Sequence, residues 1–477
     1  MSESICKGIF KYSISTWANL LIGFLSVIVT TRLMTPDVYG QVAIFFSAAS
    51  VLMYSLTIGF DGALIRFYNE PPQNNTKNEL IYKCIAYSCI ICFVVGGCAT
   101  LFAGDILSER IFNVGSKITF GLLVLYTFTN IILRYFNISF RMSFKAKQYT
   151  IQNIIINCLS RVLIIAAAFI SSDFTFIATV MTIGLTCVLI VYTYIQKDEI
   201  LPYNTEGTKN YSLSLKGYGE FVKFALFSAP TYIVFYLNDY LNKQIIVSTI
   251  GVYAVGIFSS SSLFGSILTG LKGGFGTYWS AYVYKNYQTE KKKITEMHDY
   301  IVLFSIFAAS LLVSFRDVIY LIIGTEYHAS KAFFSLLLAM PLLSFILETT
   351  DKGIAIAKQN QITLFSHTAA VTINFISCII LTKIWGLTGA AIANMLSAVL
   401  LYVLNTFYGQ KYYSSITSYA KSVFGVVLMI LILLSASIFS DIMSIIITVI
   451  MIDIIAVIVY RKQLISGISV IKSFLKK

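Results

Sequence analysis

Thr31-Arg32-Leu33-Met34-Thr35-Pro36-Asp37-Val38-Tyr39-Gly40 separates two apolar runs, 13–31 and 41–64. Proline fixes φ and suits Pro36 to a tight external turn, while Gly40 frees the backbone just before the next helix. The second run closes at Gly59-Phe60-Asp61-Gly62 and Arg66. About 20 apolar residues are enough for a helix to cross a bilayer, so the stretch predicts a membrane hairpin. The hairpin has an echo. Val38-Tyr39-Gly40 with Ile44-Phe45 recurs as Val252-Tyr253-Ala254 with Ile257-Phe258, an offset of 214 residues. Ala146-Lys147-Gln148 recurs as Ala357-Lys358-Gln359, an offset of 211. Two matches at nearly one offset, each at an expected helix end, predict a duplicated six-helix unit.

Composition agrees with that scale. The chain is 57% hydrophobic and 12% charged, whereas a soluble protein carries about 25% charged residues. Fourteen apolar runs follow one another from 13–31 to 442–460. The expected fold is an all-α membrane protein of about 14 transmembrane helices. Two pseudo-symmetric six-helix lobes, 1–205 and 206–412, precede 413–477, which holds two additional helices and a basic tail. No stretch remains for a soluble catalytic domain, so neither an enzyme nor a cofactor is expected.

The formal charge is +13, and its placement explains it. With the N-terminus inside, 25 of the 35 Lys and Arg fall in loops and tails of one side, six on the other and four within helices. Such a bias sets topology. Both termini are therefore expected to be cytoplasmic, and no nucleic-acid partner is implied. Seven of the eight cysteines lie in apolar runs and predict neither a disulfide framework nor a metal site. The N-terminus lacks a small-residue cleavage site, so the first helix reads as a retained span.

Function is sought in the polar residues at membrane depth. Ser15, Asn19, Ser26 and Thr30 share one face of the first helix. Asn130, Arg134, Asn137 and Arg141 form a stripe on the fourth, and Asn153, Asn157 and Arg161 repeat the device on the fifth. An arginine at mid-bilayer costs roughly 2.5–3.5 kcal/mol even on the mildest insertion scale, which places Arg161 toward an interior cavity. Pro230 should bend or locally unwind the seventh helix, which carries Asn238, Asp239, Asn242 and Lys243, with Asp239 and Lys243 one turn apart in the favourable order for a pair. Lys272 has no sequence-local partner; His367 and Asn374 share a face; Asp453 has no evident partner. Asp61 and Arg66 sit near the boundary, where side chains reach water easily. Four basic side chains at depth, with few acids beside them, point to a net-positive cavity that moves an anion by alternating access.

Trp17-x-Asn19, the Thr31–Gly40 turn, the Gly59…Arg66 ending, Asn238-Asp239 followed by Val252-Tyr253, and Gly386-Leu387-Thr388-Gly389-Ala390-Ala391 together resemble the bacterial polysaccharide transport family. That family includes the Wzx-type O-antigen and capsule flippases, within the superfamily of drug-exporting antiporters and the lipid II flippase. The resemblance implies a V-shaped pair of lobes, a cationic central cavity, and an undecaprenyl-diphosphate-linked oligosaccharide turned from the inner to the outer leaflet of the inner membrane. It implies lipopolysaccharide or capsule assembly, with membrane lipids, a polymerase and a chain-length regulator as neighbours. It assigns the diphosphate to Arg134, Arg161, Lys243 and Lys272, with Arg66 a weaker member. Asp239 and His367 are the candidate ion-coupling residues, and Asn19, Asn153, Asn157, Asn238 and Asn374 the polar lining. Two rivals remain. A drug or cation antiporter of the same fold would want deep acids, and a membrane polysaccharide polymerase would want a large outer loop or a catalytic constellation.

Overall fold

The computed structural model describes residues 21–72, 75–197, 201, 212–439 and 441–466. Among them every regular element is a helix. In chain order these are α1 (Leu21–Leu33), α2 (Pro36–Leu56), α3 (Phe60–Phe67), α4 (Lys77–Phe112), α5 (Lys117–Met142), α6 (Ala146–Ile170) and α7 (Phe174–Ile195). There follow α8 (Gly219–Thr249), α9 (Val252–Ser261), α10 (Leu263–Asn286), α11 (Lys291–Ser314), α12 (Arg316–Tyr320) and α13 (Phe334–Thr350). The last are α14 (Lys352–Ile356), α15 (Asn360–Tyr412), α16 (Tyr419–Ile438) and α17 (Ile442–Val459).

By length and apolar character, ten of the described helices can cross a membrane. Taking each bent pair, Val252–Ser261 with Phe264–Asn286 and Thr325–Ala332 with Phe334–Thr350, as one span gives twelve. The expected fourteen is not reached by that measure. Part of the difference is in α15, a 53-residue helix interrupted at Gly386, whose φ of 59° and ψ of −137° are open to glycine at little cost. The chain reverses there, since a Cβ on Gly389 would meet the Leu381 carbonyl. One continuous segment thus holds two passes. Another part is α1, of which the described portion is short.

Capping marks several starts. Thr76 Oγ1 accepts from Glu79 N at 3.2 Å while Glu79 Oε2 accepts from Thr76 N at 3.0 Å, a reciprocal cap on α4. Asp441 accepts from Ser444 N at 2.9 Å at the start of α17, and those donors hold its carboxyl below the usual range. The Thr31–Gly40 stretch departs from expectation. Helix α2 begins at Pro36, the first helical position that proline favours, so Val38-Tyr39-Gly40 is helical rather than turn. Gly40 serves a close approach instead: a Cβ there would collide with the carbonyl of Val252 at the start of α9. Helix α8 stays helical through Pro230, so of the bend or local unwinding expected there, the unwinding does not occur.

The contacts gather the chain into two compact units, Leu33–Gly256 and the remainder of the described chain. They cut differently from sequence order, because α8 belongs with α2–α7 and α1 with the later helices. In the first unit Leu56, Phe60, Leu64, Ile81, Cys84, Ile131 and Tyr135 pack with Phe221 and Ala225 of α8. In the second, Phe24 of α1 meets Phe264 edge-on at 6.1 Å, and Gly324 lies against the Thr31 backbone. Within a bilayer such contacts stabilise by packing rather than by removal from water.

Candidate functional site

In the first unit, α5 presents Arg134 to Asp61 at the start of α3. Arg134 Nε donates to Asp61 Oδ2 at 2.8 Å, and Nη2 lies 2.5 Å from the same oxygen. The Asp61 side chain is 1% exposed and that of Arg134 28%. Asp61, expected near water at the boundary, is instead sealed inside, and the reason is Arg134, 73 residues away in sequence. Arg134 also lies over the Tyr54 ring, 4.7 Å from its centroid. Tyr54 in turn stacks on Tyr236 of α8 at 4.3 Å and 14°, and its hydroxyl donates to that of Tyr236 at 3.1 Å. A guanidinium that holds a carboxylate and an aromatic face together is fixed in orientation.

Lys243 Nζ donates to Asp239 at 2.7 Å, as the one-turn spacing indicated, and to the Ala43 carbonyl at 3.2 Å. Asp239 remains 63% exposed on its side chain. Arg161, half-buried on α6, makes no ion pair with a carboxylate among the described residues.

In the second unit Lys272 does have a partner, one that sequence spacing hides. Glu348 Oε1 of α13 is 3.7 Å from Lys272 Nζ, and Glu348 Oε2 accepts from Lys352 Nζ at 2.7 Å. Asp351 Oδ1 stands 3.3 Å from Lys352, and burial pushes the Asp351 carboxyl up while Lys352 pulls it down. Glu348 is thus shared by two cations at unequal distance. His367 is half-buried on α15, and Asn374 is buried.

Lys243 has the carboxylate that the sequence offered, whereas Arg134 and Lys272 have ones that it did not. Arg134, Lys243 and Lys272 each face a carboxylate, so each is locally neutralised; Arg161 is the exception among the four. Arg66 stands apart: it pairs with Glu70 at 2.8 Å and is 54% exposed. Of the stripe asparagines, Asn137 donates to Gln152 Oε1 of α6 at 3.1 Å, while three others bond within their own helices. Asn130, Asn153 and Asn157 donate to the carbonyls of Tyr126, Tyr149 and Asn153 one turn back, the local bonding open to short polar side chains in a helix. Asn157 remains exposed, and Asn238 is half-buried. Asn19 lies outside the described residues. Asp453 accepts from Ser310 Oγ at 2.7 Å, a bond that ties α17 to α11.

Sequence reasoning gave no site role to Glu348, Lys352, Tyr54 and Tyr236. Glu348 and Lys352 carry a signal, an acid four residues before a lysine; the tyrosines carry none. It also missed His298, fully buried between Thr349 Oγ1 at 2.8 Å and Ser422 Oγ at 2.7 Å. Beside it Asp299 accepts from Lys421 and Gln463, each at 2.7 Å. This polar knot ties α11, α13 and α16 to the end of α17.

The sequence profile of the polysaccharide biosynthesis protein family matches residues 5–277. No curated protein matches the chain. Among solved structures, an inward closed conformation of the lipid II flippase MurJ superposes with a TM-score of 0.69 at 16% identity, covering 95% of this chain and 100% of that one. The MATE multidrug transporter DinF-BH gives 0.59 at 15% identity, covering 84% and 94%. An inward-facing multidrug resistance MATE transporter of the MOP superfamily gives 0.53 at 14%, covering 84% and 97%. At such identities the likeness establishes the fold that these structures share.

Proposed function

The chain belongs to the polysaccharide biosynthesis protein family, and from that premise we propose that it is a flippase. Its cargo is an undecaprenyl-diphosphate-linked oligosaccharide repeat unit for O-antigen or capsule, carried across the bacterial inner membrane with both termini in the cytoplasm. Two six-helix lobes, 1–205 and 206–412, rock about the cargo in alternating access. No covalent bond of the cargo changes, so no catalytic residue or cofactor is needed. A polymerase and a chain-length regulator are the fitting neighbours in the membrane.

The observation that carries this reading is Arg161. An embedded guanidinium with no carboxylate beside it is costly unless an anion arrives, and a diphosphate matches its planar donor fork. At the other cations the diphosphate has to displace a carboxylate. Lys272, 3.7 Å from Glu348, gives up less than Arg134, whose carboxylate is held by two nitrogens. A freed Asp239 or Glu348 then takes up a cation or proton, which would couple flipping to an ion gradient; His367, on α15, is a further candidate for that step.

Deep carboxylates such as Asp61 and Glu348 favour a second reading, a drug or cation antiporter of the same fold. Deleting the gene separates the two. A flippase leaves lipid-linked repeat units stranded on the inner leaflet; an antiporter leaves glycan display intact and raises drug sensitivity. Charge reversal at Arg161 and at Lys272 should abolish glycan display with the protein still in the membrane, and retained display refutes their role.

A further inference from the structure

Between the second half of α15 and α16 runs a crevice of about 520 Å³, lined by Tyr402, Val403, Phe407, Ile416, Tyr419 and Val423, with Lys411 at one end. Pockets of roughly 300–1,000 Å³ are the size that takes a small molecule. Its walls are apolar, and its polar floor is already occupied. Thr406 bonds the Thr350 hydroxyl at 2.9 Å, Ser422 bonds His298, and Gln410 donates to Thr350 O at 3.0 Å and accepts from Ser415 N at 2.8 Å. A polar visitor would therefore find few free partners inside, whereas an alkyl chain needs none.

Charge decides the other half of the visitor. Lys411 is exposed and makes no ion pair among the described residues. The same end of the bundle carries exposed Arg461 and Lys462, brought there by the Tyr460 hydroxyl, which donates to Lys421 O at 2.9 Å. Exposed Tyr419 at the mouth suits the level of lipid headgroups. A basic rim over an apolar slot in a membrane-spanning bundle selects a ligand with an anionic head and an acyl tail.

We propose that this crevice is a binding site for an anionic phospholipid, with its phosphate on Lys411 and one acyl chain along Val403, Phe407 and Val423. The crevice shares no residue with the cations proposed to meet the cargo. Its floor residues Thr406 and Ser422 bond Thr350 and His298, so a seated lipid braces the packing of α15 and α16 on α11 and α13. Because the chain comes from a bilayer that is equally apolar, preference rests on the headgroup. One basic residue near the surface is worth about a fivefold preference for an anionic over a neutral lipid.

The test uses the full chain in vesicles of phosphatidylcholine containing phosphatidylglycerol, followed by native mass spectrometry of retained lipid. The wild type should retain phosphatidylglycerol about fivefold over phosphatidylcholine. Lys411→Gln should erase that preference, and Val423→Trp, at a side chain already 58% exposed, should fill the slot and retain neither lipid. Millimolar inorganic phosphate should not displace the bound lipid. Equal retention of phosphatidylglycerol by the wild type and both variants overturns the proposal, as does release by phosphate alone, which would make the site one for the free anion.

Discussion

Arg134–Asp61 in one unit and Lys272–Glu348 in the other are both cation–carboxylate contacts in membrane helices, yet they are built for different ends. The first is short, bonded through two nitrogens, nearly sealed, and clamped by Tyr54 over the guanidinium. The second is 3.7 Å long, and its carboxylate leans 1.0 Å nearer to Lys352 than to Lys272. A buried pair with such geometry is hard to open, because breaking it strands a charge. A loose contact on a shared carboxylate costs little to exchange. On the proposed reading, Arg134–Asp61 is assigned chiefly to holding α3 and α5 together, and Lys272 to meeting the cargo.

The sharpest way to break that assignment is to remove Asp61. Asp61→Ala should destabilise the protein by about 3–5 kcal/mol, the cost of an uncompensated buried charge, read as thermal unfolding in detergent. The double variant Asp61→Asn with Arg134→Gln should recover much of that loss. A single-variant cost under about 1 kcal/mol would show the pair to be loose after all. Arg161→Glu should act in the opposite sense. It should lower translocation more than tenfold while the loss in unfolding stays well below that of Asp61→Ala, since no paired carboxylate is stranded. In the second unit, Lys352→Met should cost about 1–3 kcal/mol by leaving Glu348 short of its nearer donor. Lys272→Met should cost less than about 1 kcal/mol yet reduce flipping. Equal stability losses at the two lysines would end the distinction between them. The smallest effect belongs to Asp239→Asn, about 0.3–0.5 kcal/mol, since its partner is one helical turn away and the carboxylate is mostly exposed.

What could be read beforehand follows the range of the interactions. Helices, their apolar character and the Asp239–Lys243 pair depend on residues within one or two turns, and periodicity reports them. The Arg134–Asp61 contact spans 73 residues and depends on how three helices pack, which no local pattern encodes. The same holds for Tyr54 on Tyr236 and for His298 between Thr349 and Ser422. Polar stripes misled for a physical reason. A face of asparagines looks like a wet wall, but an asparagine can also satisfy itself on the carbonyl one turn back, and Asn130, Asn153 and Asn157 do so. Gly40 misled in a similar way, since glycine serves a tight turn and a close helix contact equally well.

The grouping of α1 with the later helices has a consequence for biosynthesis. Phe24 finds its aromatic neighbour only when Phe264 has been made, and at about 5–20 residues per second that delay is roughly 10–50 s. During that interval α1 waits in the lipid without its final neighbours. Its hydroxyls are prepared for the wait: Ser26 and Thr30 bond carbonyls three residues back within α1, at 2.9 and 3.2 Å. The nascent helix can therefore stand alone in hydrocarbon with those groups satisfied until the second half of the chain arrives to receive it.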